Sequence, residues 1–248
     1  MKQKLSNKKI EVIATKITGP AHLQKNLPCQ DFFAYKKHNN RVIAVVSDGA
    51  GSAKFGKTGA KIICETICDI LSSSDMKNIK KDIIFAIETA RDRLCFHRLN
   101  KTKSMWEIKN FSATLIGAIY EKDKGLFFHI GDGSAVAFFD DDSYKISKPE
   151  NGIFSCETFF YTLDNWQNHL RFTEFCKAKQ LCLMTDGVTG FTLKKDFSIE
   201  KKFMYPVLEF LNNEKNKKYA QKALLNTINS KQAQKISSDD KTFVWIRL

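Results

Sequence analysis

Apolar residues in the first fifty positions fall into short runs that have the length of β-strands. The runs cover residues 10–17, 32–35 and 42–46, and each is bounded by polar or turn-forming residues. The segment between the second and third runs, residues 37–41, contains an Asn-Asn pair that is typical of a turn. The pattern therefore predicts three strands, of which the second and third form a hairpin.

The spacing of apolar residues changes after this hairpin, first to a helical period and then back to the period of strands. Apolar residues recur every three or four positions over 60–71 and again over 79–94, which predicts two consecutive amphipathic helices. Residues 111–146 then contain four apolar segments of strand length. We expect these strands to form an antiparallel meander, because their loops of about four or five residues are too short for a parallel crossover.

The rest of the chain completes an alternation of strands with pairs of helices. Buried strands are predicted at 181–184 and 242–246, and lysine-rich helices at 201–211 and 218–228. We find no internal repeat and no low-complexity linker, so we expect a single domain over residues 1–248. Its predicted class is α+β, with stacked sheets inside and helices outside.

Composition narrows the class of protein. The chain has 248 residues, of which 43% are hydrophobic and 27% charged, values typical of a globular protein. No apolar run approaches the roughly 18 residues of a membrane helix, and no apolar stretch suited to a secretory signal follows the basic N-terminus. Seven cysteines without a C-x-x-C pair favour reduced thiols. We therefore expect a cytoplasmic protein that does not bind a membrane.

The formal net charge of +13 raises the question of a polyanionic partner such as nucleic acid. The basic surplus is spread along the chain as Lys-Lys pairs, without a basic helix that carries interleaved aromatic residues. This distribution favours a solvated, lysine-rich surface. We expect no nucleic-acid partner.

A glycine-rich loop at residues 51–58 matches the phosphate-binding pattern G-x-x-x-x-G-K-[ST] at every position. Two features argue against a nucleotide site. The carboxylate of Asp48 just before the loop would repel a triphosphate, and the neighbouring strands are predicted to be antiparallel, whereas nucleotide-binding folds use parallel strands. A P-loop nucleotide hydrolase is therefore the weakest of the functions considered.

Aspartates stand at the ends of several predicted strands. They are Asp31, Asp48, Asp132, Asp186, Asp239 and Asp240. A single Asp-Gly is a common turn, but several buried carboxylates at strand ends need a cation as partner. Since no histidine or cysteine cluster accompanies them, an all-oxygen site favours Mg²⁺ or Mn²⁺ over zinc.

These aspartates belong to short motifs that occur in a fixed order along the chain. The motifs are Gln30-Asp31, Val-Ser-Asp48-Gly49-Ala-Gly51, Ser112-Ala-Thr114-Leu, Ile130-Gly131-Asp132, Thr185-Asp186-Gly187 and Asp239-Asp240-Lys-Thr242. Their order over residues 14–246 resembles the PPM-type, or type 2C, metal-dependent serine/threonine phosphatases. Residues 149–152 and 157–160 further resemble a compact bacterial branch of that family. The resemblance implies a four-layer αββα sandwich, with two antiparallel β-sheets flanked by helix pairs.

The resemblance also implies a set of metal ligands and catalytic residues. The corresponding positions are Asp31, Asp48, Gly49, Asp132, Asp186 and Asp239. Asp48 would bridge two Mg²⁺ or Mn²⁺ ions, and Asp186 and Asp239 would complete the shell of one of them. Asp31 would hold the second ion, and Asp132 matches a weaker third site. Paired ions of this kind activate a water for in-line attack on phosphorus.

The chain departs from the family pattern where substrate phosphate is bound. Many relatives carry an arginine at the position of Asn26, and some carry a histidine at the position of Ala50. We expect His22 or Lys25, on the same loop, to contact the substrate phosphate instead. The alternative for His22 is a purely structural role in the loop.

The expected function is the hydrolysis of phosphoserine and phosphothreonine in proteins. The partners implied are a phosphorylated protein substrate and a cognate serine/threonine kinase. A catalytically weak phosphatase-like module that binds a phosphorylated partner is the alternative. The missing arginine favours that alternative, and retention of the aspartates argues against it.

Overall fold

The structure is a computed structural model that describes residues 10–101, 108–150 and 158–248. Within these ranges the strands are β1 (Glu11–Ile17), β2 (Phe32–His38), β3 (Arg41–Ser47), β4 (Leu115–Glu121), β5 (Lys124–Ile130), β6 (Ser134–Phe138), β7 (Tyr144–Ser147), β8 (Arg171–Cys176), β9 (Gln180–Met184) and β10 (Lys241–Arg247). The helices are α1 (Pro20–Gln24), α2 (Gly56–Leu71), α3 (Ile79–Lys101), α4 (Asp186–Thr192), α5 (Lys201–Asn213), α6 (Lys217–Ile228) and α7 (Lys231–Ile236). None of the described helices is long and apolar enough to span a lipid bilayer.

The strands form two five-stranded sheets. The first has the order β1-β10-β9-β6-β7 and the second the order β2-β3-β4-β5-β8, with antiparallel neighbours throughout. The predicted hairpin is confirmed as β2–β3, in which Phe32 pairs with Ser47.

Alternation of side chains along the strands explains how the layers stack. On β3, Val42, Ala44 and Val46 pack between the two sheets, whereas Ile43 and Val45 face the helices α2 and α3. On β10, alternate residues likewise enter the core between the sheets and the core beneath α5 and α6. The order of layers is therefore helix pair, sheet, sheet, helix pair. The predicted α+β, four-layer αββα sandwich is confirmed.

The meander expected over residues 111–146 is wrong, because β5 and β6 lie in different sheets. β4–β5 and β6–β7 are each hairpins, and the short connection at residues 131–133 passes from one sheet to the other. Gly131 has a φ of +114°, a conformation that residues with a side chain rarely adopt. Stacked sheets lie about 10 Å apart, so a short loop can cross between them as readily as it can form a hairpin. The crossing places Asp132 at the edge shared by both sheets.

Four elements of the structure were not predicted from the sequence. The strand β8 has few aliphatic residues and is mostly half-buried, so it lacks a clear apolar run. The short helix α4 contains two glycines, and α1 and α7 are also short, with five and six residues. Weak helix propensity and short length conceal such elements from a periodicity argument.

Candidate active site

The aspartates predicted from sequence lie at one end of the sandwich. Asp31 precedes β2 and Asp48 follows β3, and the antiparallel pairing of these strands puts both at the same edge. Asp186 follows β9 and Asp239 precedes β10, which are antiparallel neighbours in the other sheet. The crossing at Asp132 joins this edge of one sheet to the same edge of the other.

The carboxylates of these five aspartates act on one another electrostatically. Asp48 experiences the charges of Asp31, Asp186 and Asp239, and Asp186 experiences that of Asp132. Burial is the main cause that raises the pKa of Asp48 and of Asp186 well above the ordinary value, and the neighbouring negative charges add to it. The structure thus assembles a group of like charges, buried at Asp31 and half-buried at the other four aspartates, which we call the aspartate cluster.

Asp31 is fully buried, and two hydroxyl groups fix its carboxylate. Thr185 Oγ1 and Thr242 Oγ1 each donate a hydrogen bond of 2.7 Å to Asp31 Oδ2. Asp31 Oδ1 has no hydrogen-bond partner among the described residues. Burial raises the pKa of Asp31 from 3.8 to about 6, although the two threonines act in the opposite direction. The threonines therefore leave one defined oxygen of Asp31 available.

The loop that carries Asp48 is held from both sides. The backbone N–H of Asp48 donates to Thr114 Oγ1 at 3.0 Å, and the N–H of Thr114 donates to the Asp48 carbonyl at 2.9 Å. The side-chain amide of Gln30, oriented to donate, lies 2.7 Å from the Gly49 carbonyl oxygen. A carbonyl oxygen has two lone pairs, so this contact leaves Gly49 able to accept a second partner.

Gly49 itself is required by close packing. A Cβ at this position would lie 2.4 Å from the carbonyl carbon of Gly56, at the start of α2. A residue with a side chain would push the loop away from the helix.

Asp132 is held by a residue from another loop. Thr158 Oγ1 donates a 2.7 Å hydrogen bond to Asp132 Oδ2, whereas Oδ1 has no partner among the described residues. Burial raises the pKa of Asp132, and the bond from Thr158 opposes this effect. Of the residues that resemble the bacterial branch, 151, 152 and 157 lie outside the described residues.

The donor atoms of the cluster suit a hard divalent cation. One buried oxygen of each of Asp31, Asp132 and Asp186 lacks a hydrogen-bond partner in the part of the chain that the structure describes. Buried carboxylates without partners are costly, and oxygen donors are those that Mg²⁺ and Mn²⁺ prefer. No three described His, Cys, Asp or Glu side chains already have the arrangement of a complete metal-ligand set. The residues fit a cation by charge and donor type, and coordination itself is part of the proposal below.

Asp240 has a different role from the five aspartates of the cluster. Its carboxylate accepts hydrogen bonds from the N–H of Gly19 at 2.7 Å, the N–H of Gln30 at 2.6 Å and His22 Nδ1 at 2.9 Å. Both oxygens are thereby used, since Oδ1 binds Gly19 and Oδ2 the other two. Asp240 fastens α1 and the segment before Asp31 to the start of β10.

The two candidates for phosphate binding lie on this fastened segment. His22 is largely buried and bound to Asp240, an arrangement that suits a structural role. Lys25 is exposed at the end of α1, and Asn26 follows it with a φ of +54°. A contact of His22 or Lys25 with substrate stays a prediction.

Sequence reasoning gave no role to three residues that shape the site, Thr185, Thr242 and Lys241. It named Asp240 as a strand-end carboxylate but did not predict its hydrogen bonds. The threonines flank the aspartate motifs, so their position was the available signal. The partners of Asp240 are more than 200 residues away along the chain, which sequence spacing does not reveal.

The glycine-rich loop has the structure of a turn beside the cluster. β3, which leads into it, is antiparallel to both β2 and β4. A phosphate-binding loop needs a parallel βαβ unit, so the structure argues against a nucleotide site here. Lys57, which would contact phosphates in such a site, is exposed on the first turn of α2.

Known proteins resemble this chain in both sequence and structure. A family model for protein phosphatase 2C matches residues 18–229. A putative protein phosphatase of Mycoplasma genitalium is 25% identical over 129 residues, which span 49% of this chain and 49% of that protein. The chain thus aligns with about half the length of this relative.

Solved structures of low sequence identity share the fold. The serine/threonine phosphatase Stp1 from Staphylococcus aureus superposes with a TM-score of 0.68 at 13% identity, over 98% of this chain and 96% of that one. RsbX in complex with magnesium superposes with a TM-score of 0.61 at 13% identity, over 98% and 97% of the two chains. Since the family model covers most of the sequence and the sandwich agrees with it, the chain belongs to the protein phosphatase 2C family.

Proposed function

We propose that this chain hydrolyses phosphoserine and phosphothreonine in proteins with the help of two divalent cations, Mg²⁺ or Mn²⁺. The aspartate cluster is the observation that carries the proposal. Its carboxylates lie at one end of the sandwich, fully buried at Asp31 and half-buried at the other four, and one buried oxygen of each of three of them has no partner within the described residues. Membership of the phosphatase 2C family supplies the class of reaction.

The residues proposed to hold the cations are those identified from sequence. Asp48, the Gly49 carbonyl, Asp186, Asp239 and Asp31 would hold the two ions. Asp132 would contribute to a weaker third site. When bound, the cations supply an acidified attacking water and stabilise charge on the transferred phosphoryl group.

The remaining parts of the mechanism belong to the chain itself. Thr185 and Thr242 hold Asp31 through Oδ2, and the carboxyl of Asp48 is the other side chain that interacts with Asp31 by a hydrogen bond, which raises the pKa of Asp48. Thr114 fixes the main chain of Asp48 from both directions. Together these contacts preorganise the carboxylates, so that little rearrangement is needed when a substrate arrives.

Substrate recognition needs a positively charged group near the site. We propose that Lys25, exposed beside the fastened α1 segment, attracts the phosphate dianion in place of the arginine found in relatives. A phosphorylated protein is the substrate class, and a serine/threonine kinase would be the enzyme that generates it. A bacterial, cytoplasmic setting fits this proposal.

The test is phosphate release from a phosphothreonine peptide in Mn²⁺, with p-nitrophenyl phosphate as a second substrate and ATP as a control. We expect release from the peptide and from p-nitrophenyl phosphate, complete loss in excess EDTA, and little release from ATP. Peptide binding without turnover in Mn²⁺ would instead favour a catalytically weak binding module. Preferential hydrolysis of ATP would contradict the proposal.

A further inference from the structure

A lysine side chain is buried next to the aspartate cluster. Lys241 is the first residue of β10, directly after Asp239 and Asp240, and only 1% of it is exposed. Lysine is almost never buried to this extent unless its charge is compensated. Lys241 stands within the Asp239-Asp240-Lys-Thr242 motif, but the resemblance gives it no role and the proposed mechanism does not use it.

The contacts of the ammonium group are to the main chain. Lys241 Nζ donates to the carbonyl of Ser237 at 2.8 Å and to the carbonyl of Asp239 at 2.9 Å. These bonds tie the segment before β10 to the strand itself. They bring a positive charge against the backbone of a proposed metal ligand without using a carboxylate oxygen.

The surrounding charges are predominantly negative. Asp239, Asp240, Asp31 and Asp186 all attract the positive charge of Lys241. The only other lysine that we find bonded at the cluster within the described residues is Lys16, which donates to the Asp31 carbonyl at 2.6 Å but is only half-buried. Water screens the charge of a half-exposed lysine more strongly than that of a buried one. Burial lowers the pKa of Lys241, and the four carboxylates oppose this effect.

We propose that Lys241 is a fixed internal cation that offsets part of the charge of the aspartate cluster. It stabilises the folded chain when divalent ions are scarce, and it weakens the binding of those ions when they are present. Both effects follow from one charge, since a positive group attracts carboxylates and repels a cation among them. The inference rests on the proposed function, in which the cluster holds divalent ions.

A purely structural role for Lys241 makes a different prediction. Loss of its two hydrogen bonds would loosen the segment that carries Asp239, and would therefore weaken metal binding or leave it unchanged. The charge role predicts tighter binding after the charge is removed. The sign of the change in Mn²⁺ affinity separates the two.

The experiment compares the full chain with Lys241→Met, which keeps the length of the side chain but removes its charge. Lys241→Gln is a second neutral variant that retains a hydrogen-bond donor. Exposed Lys222→Met controls for the general loss of one positive charge from a chain of net charge +13. Mn²⁺ affinity is measured by titration calorimetry and thermal stability by the melting temperature in EDTA, with circular dichroism to confirm folding.

We expect both neutral variants at position 241 to melt at a lower temperature than the parent in EDTA. Their dissociation constants for Mn²⁺ should fall on the order of tenfold, and the Lys222 variant should match the parent in both measurements. Equal or weaker Mn²⁺ binding by the folded neutral variants would overturn the proposed role of Lys241 but not the proposed metal site. Failure of the parent to bind Mn²⁺ would overturn the proposed metal site together with the role of Lys241.

Discussion

At the scale of single residues, the two threonines at Asp31 show how the site controls which atoms are available. Both hydroxyl groups bind the same oxygen, so they orient the carboxylate and also keep its pKa lower than burial alone would allow. Thr185 Oγ1 additionally accepts the backbone N–H of Thr242 at 3.0 Å, which links β9 to β10 at this point. The geometry of Asp31 is thus set by the strands of the opposite sheet.

Replacement of Thr242 by valine tests this arrangement. Valine keeps the shape of the side chain but removes the donor to Asp31 Oδ2, so a buried acceptor loses one of its two hydrogen bonds. We expect the free energy of unfolding in EDTA to fall by about 1–3 kcal/mol, as measured by urea denaturation. Thr242→Ser, which keeps the hydroxyl, should retain most of the stability. Equal losses for both variants would show that packing of the methyl group, rather than the hydrogen bond, matters at this position.

At the scale of elements, the position of the loop that carries Asp48 depends on how closely α2 packs against the segment that precedes β4. A Cβ on Gly59 of α2 would lie 1.9 Å from the carbonyl oxygen of Phe111. The residues just after Phe111 pair with the Asp48 loop, since the N–H of Ala50 donates to the Ser112 carbonyl at 2.9 Å. Any shift of α2 against this segment would therefore reach the aspartate cluster.

Replacement of Gly59 by alanine tests this packing of α2. The added methyl group must displace backbone atoms, so we expect a loss of about 1–3 kcal/mol in the free energy of unfolding, determined in urea. Gly51→Ala is the matched control, because a Cβ at that exposed position meets no atom within 4 Å. If the two variants were equally stable, the close approach of α2 to Phe111 would be refuted.

Some elements follow from the sequence and others do not, for physical reasons. Alternation along β3 and the helical period of α2 reflect burial on a defined face, which a hydrophobic pattern records directly. The passage from β5 to β6 between sheets depends on the conformation of Gly131, and short loops of either type have similar composition. The aspartates were found because their motifs are local, whereas the hydrogen bonds of Asp240 and the burial of Lys241 arise from tertiary contacts. Roles of the cluster in binding metal are still predictions.

At the scale of the whole molecule, the fold concentrates buried negative charge at one end of a chain whose net charge is +13. The carboxylates gathered there oppose the folded state unless a cation or proton compensates them. The cluster thus links stability of the entire molecule to metal and to pH.

Asp31 contributes to the pH dependence of the metal-free protein through its raised pKa, beside the raised pKa values of Asp48, Asp132 and Asp186. Burial moves the pKa of Asp31 from 3.8 to about 6, so between these values the folded chain holds a proton that the unfolded chain has released. The contribution of Asp31 to stability is therefore largest at low pH and is lost as the pH rises through about 6. It amounts to at most about 3 kcal/mol, given roughly 1.4 kcal/mol for each pKa unit.

The measurement is the difference in melting temperature between Asp31→Asn and the parent in EDTA, from pH 4.5 to 7.5. The difference between the two proteins is used because His129 also makes stability depend on pH. Burial lowers the pKa of His129, so acidification destabilises the folded chain in both proteins, and this effect cancels in the difference. We expect Asp31→Asn to gain stability relative to the parent as the pH rises. A difference that stays constant across this range would contradict the raised pKa.

The central claim is that the aspartate cluster binds divalent cations for catalysis, and calorimetric titration with Mn²⁺ tests it most directly. We expect the parent to bind two Mn²⁺ ions per chain, with Asp48 among the residues that would hold them. Asp48→Asn should lose this binding together with phosphate release, whereas Lys57→Ala, on the same loop but exposed, should keep both. Unchanged Mn²⁺ binding in folded Asp48→Asn, or turnover of a phosphothreonine peptide by metal-free parent, would contradict the account.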